Sequence, residues 1–246
     1  MTGAPLPPPP DDALYEPRFV RALFDEMAET YGVINLVSSF GFAARWRKQC
    51  VRALGAQPGW SVLDLMTGMG ELCPDLARAV GPAGSIRAVD LSPEMCRRAA
   101  RTAARCACRT EVLEADALLN DIPPASADAV VSSFGLKTFS ADQTRRLAGQ
   151  VAVYLKPGGR FAFVEISVPP GRWLRRPYLF YLNRVIPLVG RVLLGNPDNY
   201  RMLGVYTERF GDCGAARREF ELAGLVTEER SYFFGCATGL CGYKPA

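Results

Sequence analysis

The hydrophobic period of the chain changes along its length. From about Asp12 to Leu54 the apolar residues Phe19, Leu23, Phe24, Met27 and Tyr31 recur at helical spacing, break at Ser38-Ser39-Phe40-Gly41, and give way to a second helical pattern. After Pro58-Gly59 the pattern becomes short apolar or β-branched runs separated by helical stretches: Ser61 to Leu65, Ser85 to Val89, Thr110 to Leu113, Ala127 to Ser132 and Arg160 to Ile166. That alternation predicts a mostly parallel sheet with helices on both faces, the Rossmann-like α/β class. A helix from Ala215 to Ala223 and two strands, near Val226 to Phe233 and Cys236 to Tyr243, predict a closing hairpin with an antiparallel C-terminal strand and about seven strands in all.

This organisation predicts a single α/β domain over 13–246, with a helical cap over 13–57 and a lid insertion over about 169–210. The connection from Pro169 to Phe210 is far longer than usual, and its length is the argument for the insertion. Residues 1–12, with the run Pro7 to Pro10, predict a disordered or extended tail and not a signal peptide.

Charge narrows the partners. The net charge of +4 comes from 29 basic and 25 acidic residues spread over the whole chain, which is too mild and dispersed for a nucleic-acid footprint. Eight cysteines include no Cys-x-x-Cys pair and no histidine is present, so no metal site is expected and the thiols read as small buried hydrophobes of a reducing, cytoplasmic setting. No apolar run reaches the length of a transmembrane helix. The apolar stretch Trp173 to Leu194 carries Arg172, Arg175, Arg176, Arg184 and Arg191 along it. It reads either as a lid helix with snorkelling arginines or as a peripheral membrane contact that admits a lipid-like acceptor. A homodimer is compatible with either.

The run Val62-Leu63-Asp64-Leu65-Met66-Thr67-Gly68-Met69-Gly70-Glu71-Leu72 is a buried strand entering a glycine turn, the place where open α/β sheets bind nucleotides. Gly68 and Gly70 would let a ligand approach the backbone. Asp90 ends the next strand twenty residues after Gly70, where a carboxylate can accept ribose hydroxyls, and Asp116 ends the third. A dinucleotide would set its pyrophosphate on the helix N-terminus, where Glu71, expected in the first helical turn, would repel it. S-adenosylmethionine has no phosphate and carries an ammonium and a sulfonium. Asp64, Glu71, Asp90 and Asp116 together suit it.

The glycine turn, Asp90, Asp116 and Leu155-Lys156-Pro157-Gly158-Gly159-Arg160 resemble class I methyltransferases. More closely, the chain is similar to the ubiquinone/menaquinone C-methyltransferase family. The matches are Tyr31-Gly-Val-Ile-Asn35, Ser39-Phe40-Gly41, Trp46-Arg47, Phe134-Gly135-Leu136, Val164-Glu165-Ile166-Ser167, Ile186-Pro187, Asn199-Tyr200-Arg201-Met202-Leu203 and Gly242-Tyr243-Lys244-Pro245, so the resemblance covers roughly Asp12 to the end. It implies that Asp64, Gly68 and Gly70 hold the methionine part of the cofactor, Asp90 the ribose and Asp116 the adenine amino group. Thr67, Leu91, Met95, Ala117 and Ser133 complete the expected cofactor set. The chain departs from the family pattern at Lys137-Thr138, where Arg-Asn is usual, and at Met66, Thr67 and Met69 in the glycine turn.

The resemblance implies C-methylation of a hydrophobic aromatic, quinol-like or polyketide-like small-molecule acceptor. Methyl transfer is an in-line displacement for which the protein supplies alignment, and a phenolic acceptor must also lose a proton. Without histidine, the candidate catalytic residues are Tyr31, Lys137, Glu165, Tyr200 and Arg201, the last as an electrostatic partner of an oxyanion. O- or N-methylation of a small secondary metabolite is the alternative chemistry. The bulky Met66 and Met69 motivate a third reading, a cyclase or scaffold that binds the cofactor without methyl transfer or has lost it.

Overall fold

The computed structural model describes residues 13–30, 32, 34–35, 39–188, 191 and 197–246. The expected tail over 1–12, the candidate residue Tyr31 and the stretch 192–196 of the lid lie outside the described residues. Helices α1 (Pro17–Met27) and α2 (Phe42–Leu54) precede an alternating series: β1 (Ser61–Leu65), α3 (Cys73–Val80), β2 (Ser85–Asp90), α4 (Pro93–Ala103), β3 (Arg109–Glu114), β4 (Ala127–Ser133), α5 (Ala141–Tyr154) and β5 (Leu155–Ile166). Then follow α6 (Arg172–Phe180), which runs on into a π-helical turn at Tyr181–Val185, α7 (Pro197–Phe210), α8 (Gly214–Leu222), β6 (Val226–Tyr232) and β7 (Ala237–Tyr243).

The seven strands form one sheet in the order β3-β2-β1-β4-β5-β7-β6, parallel except for β7, which runs antiparallel to both neighbours. The expected class therefore holds, its antiparallel C-terminal strand included. The closing hairpin forms, but its second strand inserts between β5 and β6. Sequence explains the choice: β7 is buried from Ala237 to Cys241, whereas β6 carries Glu228, Glu229 and Arg230 and is exposed along most of its length. Charged residues suit an edge that must resist further pairing.

Two apolar layers sandwich the sheet. Val62, Ala129, Val131 and Val164 point to α2 and α3, while Leu63, Val130, Phe161 and Phe163 pack against α5 and α8. Helix starts follow local chemistry: Ser92 accepts the Met95 amide at the head of α4, and Ser140 with Gln143 forms a capping box on α5. Strand β5 begins at Leu155, earlier than the pattern from Arg160 suggests. Its Pro157-Gly158-Gly159 segment interrupts the apolar run, and the pairing with β4 slips register between Ala127 and Ala129.

A buried ion pair ties the exits of β4 and β5 together. Lys137, 3% exposed, stands on a short 3-10 turn (Leu136–Thr138), and Glu165, wholly buried, ends β5. The Lys137 Nζ donates to Glu165 Oε1 at 2.9 Å and to the Phe134 carbonyl. Glu165 Oε2 accepts the Lys137 amide at 3.0 Å, and Oε1 also accepts the Ile166 amide at 2.8 Å. The two candidate bases of the sequence are thus each other's partners, and this pairing braces the site in place of a free base. Lys137→Met is expected to lower unfolding free energy by about 3–5 kcal/mol in urea titration, because it strands a buried carboxylate. Lys137→Met combined with Glu165→Leu should recover most of that loss.

Candidate active site

A cleft of about 870 Å³, counting its opening to solvent, lies at the carboxyl ends of β1, β2 and β4. Thr67, Gly68, Asp90, Leu91, Met95, Asp116, Ala117 and Ser133, all expected in the cofactor set, line it. The turn after β1 makes it possible: Met66 at φ 53° and Gly68 at φ 60° turn the chain away from the sheet, and the Thr67 amide bonds back to the Val89 carbonyl at 2.9 Å. A Cβ on Gly68 would come within 2.9 Å of Glu71 Oε2. Tyr15 and helix α1, through Val20 and Phe24, cover the opening, and Asp25 of α1 accepts the Ser92 hydroxyl at 2.5 Å.

Two members of the expected set do other work. Gly70 is buried at φ 75°, and a Cβ there would meet Thr102 Cβ at 3.3 Å and Ala99 Cα at 3.4 Å. It lets α4 pack closely and does not line the cleft. Asp64 sits beneath the turn, wholly buried, with Oδ2 accepting the Thr67 hydroxyl at 2.5 Å and Oδ1 without a partner among the described residues. Glu71 precedes α3, which begins at Cys73, so it occupies the turn and not the first helical turn.

Electrostatically the arginines of the cleft are already paired: Arg21 faces Asp25 and Glu114, and Arg47 faces Glu71. Burial, against the Thr67 hydrogen bond and with Glu71 and Asp90 nearby, pushes the Asp64 carboxyl up to about 7. Burial likewise raises Asp90 to about 6, although its Oδ2 accepts the Gly68 amide at 2.7 Å and its Oδ1 the Ser92 amide at 3.0 Å. An orphaned buried acceptor and two carboxyls held above their ordinary range fit a cationic ligand. The ammonium and sulfonium of S-adenosylmethionine match that requirement, and Asp64, Asp90 and Asp116 are the residues that would hold it.

Arg47 and Phe134 belong to the site; the resemblance matched both, in Trp46-Arg47 and Phe134-Gly135-Leu136, without singling either out as a site residue. Arg47 on α2 binds Glu71 Oε1 at 2.9 Å, and its guanidinium lies 5.0 Å from the centre of the Phe134 ring. Its signal was weak: a cation next to the buried stripe Ala43, Trp46, Cys50 and Leu54, in need of a partner. Phe134 stood out only through the resemblance, and its φ of 62°, adopted without being glycine or asparagine, had no sequence signal. Gly135 beside it leaves room for Met66, whose Cβ would lie 2.5 Å from an added methyl.

Phe134 also walls a second cavity of about 540 Å³, mostly apolar, formed by Ile166, Leu182, Ile186 and Leu203 with Lys137, Tyr200, Asn35 and Thr207 as polar points. Tyr200 is buried and its hydroxyl lies 2.5 Å from that of Thr30. Burial holds its phenol above the ordinary range, so near neutral pH it is a hydrogen-bond donor and not a base. Arg201 is exposed and lines neither cavity. Among the described residues no helix is long and apolar enough to cross a membrane.

Residues 12–244 match the ubiE/COQ5 methyltransferase family. The demethylmenaquinone methyltransferase of Thermus thermophilus is 33% identical over 223 residues, covering 91% of this chain and all of that protein. A ubiquinone/menaquinone biosynthesis C-methyltransferase of Saccharophagus degradans is 27% identical over 93% of this chain and 92% of its own length. The crystal structure of an S-adenosylmethionine-dependent methyltransferase from Aquifex aeolicus superposes with a TM-score of 0.55 at 18% identity, over 80% of this chain and 88% of that one, which is a likeness of fold. With a match over nearly its whole length and a relative at this identity, the chain belongs to the ubiE/COQ5 methyltransferase family and is a methyltransferase.

Proposed function

We propose that the chain transfers the methyl group of S-adenosylmethionine to a ring carbon of a quinol or related phenolic acceptor with an apolar tail. The observation that carries this reading is the pair of cavities meeting at Phe134, one lined by carboxyls and one apolar. Relatives named for demethylmenaquinone and for ubiquinone/menaquinone biosynthesis support the acceptor class.

When bound, the cofactor supplies a methyl group already activated by its positive sulfur. The chain's own contribution is alignment and charge. Asp90, at the end of β2, holds the ribose part in the cleft, and Asp64, buried beneath the turn, places negative charge under the cationic part. Phe134 separates the donor cleft from the acceptor cavity, and Arg47 against its ring keeps that wall in place. In the second cavity Ile166, Leu182 and Ile186 exclude water around the acceptor, Tyr200 donates a hydrogen bond, and the Lys137 ammonium favours an ionised phenolic oxygen. An acceptor ionised in this way carries its negative charge onto ring carbons and needs no dedicated base at the moment of transfer.

Isotope-labelled S-adenosylmethionine incubated with a reduced demethylmenaquinone-type quinol should give a product methylated on carbon, as read by mass spectrometry and carbon NMR. Methyl on oxygen would replace the proposed chemistry, and cofactor binding without product from any quinol would overturn it. Asp90→Ala should weaken S-adenosylmethionine binding about 10- to 100-fold in calorimetry while circular dichroism stays unchanged. Asp64→Asn tests the charge argument by pH. Since the folded carboxyl binds its proton more tightly than the unfolded one, its contribution to stability is full at low pH and is lost as pH rises through about 7. Above that pH the asparagine variant without ligand should melt roughly 2–6 °C higher than the parent. Its cofactor affinity should lack the parent's rise with pH.

A further inference from the structure

A lid helix that only covers a pocket turns its apolar side inward and leaves polar groups outside. Helix α6 does the first and not the second. Leu174 and Tyr178 pack inward against the main core, and the Tyr178 hydroxyl donates to the Cys236 carbonyl at 3.1 Å. On the opposite side, at spacings of four and three, stand Trp173, 96% exposed, Pro177 and Phe180, 64% exposed. Arg172, Arg175, Arg176 and Arg184 are exposed around this stripe, and none of them has an ion-pair partner among the described residues. No acidic residue occurs between Glu165 and Asp198.

Two further aromatic elements adjoin α6 at the same end of the sheet. The turn Phe233-Phe234 lies between β6 and β7, with Phe234 78% exposed at φ 56°. It reaches the entry to α6 through Gly235, where a Cβ would come within 2.7 Å of Pro170. Phe40, 79% exposed at φ 49°, has its ring 6.1 Å from that of Tyr181 at the far end of α6. Phe40 and Phe234 are held in left-handed backbone that costs energy, and each presents its ring mostly to water. Their ring contacts, Phe40 with Tyr181 and Phe234 with Phe233, leave most of each ring exposed.

We propose that the outer face of α6, with Phe40 and the Phe233-Phe234 turn, docks on the surface of an anionic lipid bilayer. Exposed Trp and Phe in a field of arginines, free of carboxylates, is the composition that inserts rings at headgroup depth while guanidinium groups pair with lipid phosphates. The same segment supplies Leu182 and Ile186 to the second cavity, so docking brings the bilayer to the rim of that cavity. This last placement rests on the acceptor reading above. The lipid contact does not, and is tested without acceptor.

The full chain is mixed with vesicles of phosphatidylcholine alone or with phosphatidylglycerol added, and followed by sedimentation and tryptophan emission. Trp173 is the exposed reporter, since Trp46 is buried and Trp60 is half-buried, and Trp173→Phe separates its signal from theirs. Binding to the anionic vesicles, a blue shift lost in Trp173→Phe, and quenching by brominated lipid are expected. Arg172→Glu/Arg175→Glu/Arg176→Glu and Trp173→Ser/Phe180→Ser/Phe234→Ser should each weaken vesicle binding at least about tenfold, with S-adenosylmethionine affinity retained as evidence of folding. Absence of vesicle binding overturns the proposal, as does binding that neither triple variant weakens. A blue shift that grows with protein concentration without lipid, and no vesicle binding, would assign the face to a second copy of the chain instead.

Discussion

The Lys137–Glu165 pair is the contact on which the geometry of both cavities depends. Adjacent parallel strands end side by side, and their exit loops are free to diverge unless something beyond the ladder holds them. Here one ammonium reaches both the carboxylate closing β5 and the carbonyl of Phe134 closing β4. The backbone at Phe134 is thereby held in a left-handed conformation, and its ring becomes the partition between the two spaces. Desolvating the charges is costly, and the hydrogen bonds to the Lys137 and Ile166 amides make the arrangement tolerable. What the pair contributes is position more than net stability.

The opposite side of that partition stores electrostatic energy. Asp90 and Glu71 oppose the ionisation of Asp64, Glu71 opposes that of Asp90, and the Arg47 hydrogen bond goes to Glu71. On the proposed reading, a cation bound there relieves a tension already present. That accounts for acidic residues where a nucleotide phosphate would require the reverse.

Much of this was legible in the sequence, and for definite reasons. Strands β1, β2 and β4 are largely buried, so their apolar runs mark their limits within a residue, and Asp90 stands out as a charge where one of those runs stops, whereas Asp116 lies two residues beyond the half-exposed β3 and not at its end. Illegible features depend on contacts distant in sequence. Lys137 and Glu165 each look like a free catalytic group until their pairing is seen. Gly70 reads as a ligand-facing glycine, yet the neighbour that needs its missing Cβ is α4, some thirty residues on. The order of the last two strands is set by which of them can tolerate an edge, a comparison between segments that no single window contains. The family resemblance carried the acceptor class further than residue patterns alone.

The insertion of β7 between β5 and β6 has a kinetic consequence. Residues 160–166 of β5 find their partners only at 237–243, across α6, α7 and α8, so closing the sheet requires a long loop to be ordered before any ladder bond rewards it. Until then β5 presents an open, apolar edge, the kind of surface on which folding intermediates associate. The wait also governs when the molecule becomes competent. Ser167, at the rim of β5, and the head of α8 at Cys213 are both hydrogen-bonded to Thr238 of β7. The segment between them is therefore anchored at both ends by the last strand to arrive, and the second cavity is finished in the same event that seals the sheet.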